Sequence, residues 1–127
     1  MKENRTLIVF SLLSLLLGIV HIADDVERGM APGGLTNITV MVFCALVLYA
    51  TLVLIGRRSG YIIILLASFL LTGIPIIHMR GNGFGPASTR SDGIFFAFTL
   101  LTLGTTALFT FVLSVQALWN MRRRSTP

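Results

Sequence analysis

The chain has 127 residues, of which 54% are hydrophobic and 12% charged, with a mean hydropathy of +0.86 and a formal net charge of +5. Soluble domains carry about 25% charged residues, so this composition excludes a water-coated globule and a separate soluble catalytic domain. The basic excess does not describe a nucleic-acid surface either, because the basic residues flank apolar segments and no basic patch is interleaved with aromatics on a soluble face.

The first apolar segment covers residues 7–23 and follows Lys2 and Arg5. A bilayer core of about 30 Å takes roughly 20 helical residues to cross. With no water to pair its backbone, such a segment must be a helix, expected here over about 6–28. The start resembles a secretory leader, but Val20-His21-Ile22-Ala23 puts a histidine where cleavage wants a small residue, so the segment is expected to stay as a span. Ser14 and Gly18, four apart, place two small residues on one face and favour close helix approach. Past them come His21, Asp24, Asp25, Glu27 and Arg28, and then Gly29 and Pro32-Gly33-Gly34 end the helix.

The second segment, residues 38–56, is expected as a helix over 37–56, capped by Thr36 or Asn37. The same capping role accounts for the sequon Asn37-Ile38-Thr39. Cys44, the single cysteine, sits mid-segment and reads as apolar packing. Gly56-Arg57-Arg58-Ser59-Gly60 is a tight turn, which makes spans two and three antiparallel neighbours.

The third segment, residues 61–77, predicts a helix over about 60–79. Pro75 removes one backbone hydrogen bond, so a kink is expected in its last third, aiming His78. The glycine-rich stretch after Arg80 follows no strand and has no P-loop lysine, so it is not a phosphate loop. Ser91 or Asp92 can cap the fourth segment, residues 94–119, predicted as a helix over about 92–121. This span measures about 39 Å at 1.5 Å per residue and must tilt or protrude. Its threonines (Thr99, Thr102, Thr106 and Thr110) read as packing or backbone-bonding groups. Phe95, Phe96, Phe98, Phe109 and Phe111 read as apolar filler or lipid contact, and Trp119 as an interfacial anchor.

Charge gives the orientation. Lys2, Arg5, Arg57, Arg58, Arg122, Arg123 and Arg124 fall on one side of a four-span topology. Arg28, Arg80 and Arg90 fall on the other, with Asp24, Asp25, Glu27 and Asp92. By the positive-inside rule both termini are cytoplasmic. The expectation is an all-α polytopic protein, a four-helix transmembrane bundle forming one domain in a bacterial cytoplasmic membrane. Leu16-Leu17-Gly18-Ile19 and Leu71-Thr72-Gly73-Ile74, each shortly before a histidine, hint at a duplicated two-helix unit.

The two histidines of the chain are His21 and His78. At 1.5 Å per residue they lie roughly 21 and 26 Å from the inner edge, so both fall just inside the outer boundary. Asp24 and Asp25 follow His21 at i+3 and i+4 on the same helical side. Imidazoles with a carboxylate suit a divalent transition metal, with His21, Asp25 and His78 as ligands. Two histidines on different helices also suit axial ligation of haem. Asp24, Arg80 and Asp92 are candidates for holding a polar or anionic ligand at that face. The ordinary readings are interfacial histidines, a wet helix end with Asp24 paired to Arg28, and Asp92 as an N-cap.

In length and span count the chain resembles small multidrug-resistance exporters and fluoride channels. It has neither the exporters' mid-membrane glutamate in span one nor the channels' glycine-rich, arginine-containing first helix. Three functions are consistent with these residues. The first is a non-enzymatic accessory or assembly protein, homo-oligomeric or paired with another membrane protein, with an ion- or ligand-binding polar cluster at the outer face. The second is a membrane redox or metal-dependent enzyme, with a metal or haem held by His21 and His78. The third is a small transporter, which the lack of midplane charge disfavours.

Overall fold

The computed structural model describes residues 2–27, 38–80 and 91–124, with side chains described over 4–27, 38–78 and 93–124. It is all-helical: α1 is Lys2–Glu27, α2 Ile38–Leu52, α3 Arg58–Arg80 and α4 Ser91–Arg124. Stretches within α1, α3 and α4 (Asn4–Glu27, Arg58–His78 and Gly93–Arg124) are long and apolar enough to cross a membrane. The fourth helix has 34 residues, about 51 Å, so it is longer than the span predicted for it.

The second helix is shorter than its apolar segment. It has 15 residues, about 22 Å, and ends at Leu52 instead of running to 56. The cause lies in the turn. Val53 N–H still donates to the Tyr49 carbonyl at 2.9 Å, but Leu54 N–H reaches the same oxygen at 3.3 Å, one residue out of helical register. Gly56 then takes φ +86°, and Arg57 N–H donates to the Leu54 carbonyl at 3.0 Å. Only glycine adopts that φ without a Cβ penalty. Gly60 is required for a different reason. A Cβ there would lie 2.7 Å from the Leu54 carbonyl carbon and 2.9 Å from the Leu54 Cβ. The apolar residues Val53, Leu54 and Ile55 therefore belong to a folded turn that joins α2 to α3.

Helix α4 packs along both α1 and α3, and α2 lies against α1 and α3 alone among the described residues. Most of the described basic residues collect at one end, with Arg80 of α3 at the other. Tyr61 donates a hydrogen bond from its hydroxyl to Asn4 Oδ1 at 2.8 Å. Leu7, Ala50, Tyr61 and Ile64 form a core there with Leu118 and Met121 against it. Arg5, Arg57, Arg58 and the Arg122, Arg123, Arg124 run thus surround one end of the molecule, and His21 and His78 stand at the other.

The buried face of α4 repeats at helical spacing through Phe96, Leu100, Leu103, Ala107, Thr110 and Ser114. Van der Waals packing and interhelical hydrogen bonds can hold apolar helices of this kind together. Besides the Tyr61–Asn4 bond, two hydroxyl pairs tie α1 to its neighbours: Ser11 Oγ with Thr51 Oγ1 at 2.7 Å, and Ser14 Oγ with Thr110 Oγ1 at 3.1 Å. The threonines of α4 satisfy their hydroxyls on their own helix. Thr99, Thr102, Thr106 and Thr110 donate to carbonyls three or four residues back. The stripe is therefore packing, and a hydroxyl bonded to its own backbone does not line a polar path.

Pro75 sits inside α3, which continues as helix to Arg80. Its ring is seated on Gly104 of α4, where a Cβ would lie 2.6 Å from Pro75 Cγ. The two glycines of the sequence echo are not equivalent. A Cβ on Gly18 would touch Leu71 and Leu103 at 3.6 and 3.9 Å, whereas one on Gly73 would meet nothing within 4 Å. This gives the idea of a duplicated unit no support.

Candidate functional site

The contact between Pro75 and Gly104 holds the last turn of α3 beside α4, three residues before His78. Helix α1 brings His21 and, one turn later, Asp25 to the same level. The two imidazole Nε2 atoms approach to 3.4 Å. Asp25 Oδ2 lies 3.6 Å from the Nε2 of His21 and 3.8 Å from that of His78. Three lone-pair atoms from two helices thus face one point.

These separations are informative. A good N–H···O hydrogen bond spans about 2.7–3.2 Å, so the trio is too open to be a tight hydrogen-bonded network. A circle through corners 3.4, 3.6 and 3.8 Å apart has a radius of about 2.1 Å, which is the bond length of an imidazole nitrogen or a carboxylate oxygen to zinc, roughly 2.0–2.2 Å. Among the described residues, His21, Asp25 and His78 are the one group of three or more His, Cys, Asp or Glu donors with this convergence.

Burial is graded across the site. His21 is 1% exposed, while the side chains of Asp25 and His78 are 15% and 23% exposed. Phe96 of α4 supports both rings, with centroid distances of 5.2 Å to His21 and 5.4 Å to His78, and the two imidazoles meet edge to face at 5.0 Å. Asp25 Oδ1 and His21 Nδ1 are buried with no hydrogen-bond partner among the described residues. A cation on His21 Nε2 would place the ring's proton on that buried Nδ1.

Haem does not fit. Axial histidines must stand on opposite sides of a macrocycle. Here both Nε2 atoms point at one carboxylate oxygen, 3.4 Å apart, and Phe96 packs against both rings. This overturns the haem alternative on geometric grounds.

The remaining expected ligands fall outside the trio. Asp24 is half-buried on α1 and contributes no donor to the converging group. Arg80 ends α3 and Asp92 lies in the first turn of α4, but their side chains lie outside the described residues, as do Arg28, Arg90, the glycine-rich loop after Arg80 and the caps expected at Thr36 or Asn37. Phe96 is the residue that sequence reasoning missed. The sequence offers it only as apolar filler or lipid contact, and its neighbours Phe95 and Phe98 are exposed, whereas Phe96 is 3% exposed. The available signal was its spacing from Leu100 and Leu103 on the buried face.

Comparison with known proteins supplies no relative: no family model, no curated protein and no solved structure matches the chain.

Proposed function

We propose that this is a four-span integral membrane protein of a bacterial cytoplasmic membrane that binds one divalent transition-metal ion through His21, Asp25 and His78. Both termini lie in the cytoplasm, and the metal site lies at the outer face. The observation that carries the reading is the convergence of two imidazole nitrogens and one carboxylate oxygen about a point roughly 2.1 Å from each. Mixed nitrogen and oxygen donors favour zinc, iron or cobalt over magnesium and calcium, which prefer oxygen alone. The gathering of arginines at the opposite end supports the orientation. Helix α2, a shorter apolar helix of 15 residues, is read as the remaining span.

Ion binding at the outer face, common to the accessory-protein and metal-dependent-enzyme classes, has a built site behind it. A transport path would need polar groups free to face a solute, and the α4 threonines are bonded to their own helix. An assembly role rests only on apolar outer faces, which lipid also covers. The test is equilibrium dialysis of the tag-free protein in detergent against zinc. One ion per chain is expected, lost in the paired His21→Ala, His78→Ala variant. Equal zinc uptake by that variant overturns the reading. Reporter fusions at the two ends should both report the cytoplasm, and opposite compartments would overturn the topology.

A further inference from the structure

We infer that the metal ion keeps an exchangeable coordination position that takes a small monodentate anion. This rests on the metal-site reading above and goes beyond it, because a site can bind a metal with its coordination closed by protein.

Two observations support the open position. The first is donor count. Counting one atom from each side chain, the site has three donors, and among the described residues no fourth His, Cys, Asp or Glu joins them. Zinc and its first-row neighbours take at least four ligands, and a three-donor protein site is the pattern in which the fourth position exchanges. The point roughly 2.1 Å from each donor lies in the plane of the three atoms. Both directions perpendicular to that plane are therefore free of these ligands.

The second is charge. A divalent cation with two neutral imidazoles and one carboxylate keeps a net charge of about +1. At the edge of a hydrocarbon medium an uncompensated charge is unfavourable, so an anionic fourth ligand is preferred over a neutral one. Access is from the side of Asp25 and His78, which are 15% and 23% exposed, because His21 is enclosed at 1%. The partial enclosure limits the ligand to a small donor.

The experiment uses the full-length, tag-free protein loaded with cobalt(II) in mild detergent and titrated with azide, read by the visible ligand-field bands. The expected result is a saturable spectral shift with one azide per cobalt, absent from the His21→Ala, His78→Ala variant. If cobalt binds at one per chain and azide leaves the bands unchanged, coordination is closed and this inference is overturned while the metal site stands. If cobalt does not bind, the metal site itself fails and the inference goes with it. An azide response of equal size in the double variant also overturns the inference, because the signal then comes from cobalt elsewhere.

Discussion

Replacing Gly104 by alanine should weaken metal binding at a distance, because Gly104 seats the proline that positions His78. The new Cβ would lie 2.6 Å from Pro75 Cγ and 3.6 Å from Pro75 Cβ and Cδ. Carbon atoms rest at about 3.5–4.0 Å, so α3 and α4 must part by about 1 Å at this level. Overpacking of this kind costs about 1–3 kcal/mol. The better helix propensity of alanine returns about 1 kcal/mol, which leaves a net loss of about 0–2 kcal/mol. The effect on the site is sharper than the effect on stability. His78 lies one turn beyond Pro75, and metal ligands tolerate errors of only about 0.2 Å. Zinc affinity should fall about 10–100-fold, the range seen when a ligand loses its support. The assay is zinc competition with a chromophoric chelator in detergent, with thermal unfolding in parallel. Gly73→Ala is the control, because its Cβ would meet nothing within 4 Å. The reasoning is refuted if folded Gly104→Ala binds zinc as tightly as the parent, or if Gly73→Ala loses as much.

Other substitutions test other parts of the structure. Phe96→Ala removes the ring that supports both imidazoles and should lower zinc affinity about 10–100-fold, while Phe95→Ala on the exposed face leaves it unchanged. Thr110→Val removes the interhelical partner of Ser14 and should cost about 0.6 kcal/mol in mixed-micelle unfolding, whereas Thr105→Val, bonded only to its own helix, should cost less. Gly56→Ala forces a side chain into φ +86°, a loss of about 1–2 kcal/mol that should appear as faster proteolysis at the turn between α2 and α3.

Much of the fold is visible in the residues because long apolar runs bounded by charged residues give helices of matching length. The first, third and fourth helices follow from run length, and the basic end follows from Arg57, Arg58 and the arginines after Trp119. The end of α2 does not follow. Val53, Leu54 and Ile55 are as apolar as the helix before them, and only the approach of the Leu54 backbone to Gly60 shows why the chain turns there. In the site, the pairing of His21 with Asp25 follows from one helical turn. Its meeting with His78 needs α1 and α3 to be in register at the end away from the arginine run, a tertiary fact that helical spacing does not contain. Phe96 stayed hidden because five phenylalanines share α4, and the choice of the one that faces inward is made by packing.

X-ray absorption at the zinc edge of the loaded, tag-free protein reads the central arrangement directly. The account predicts nitrogen and oxygen neighbours at about 2.0–2.2 Å, with the outer-shell scattering of two imidazole rings. A spectrum with one imidazole or none, or one unchanged when both histidines are replaced, would contradict it.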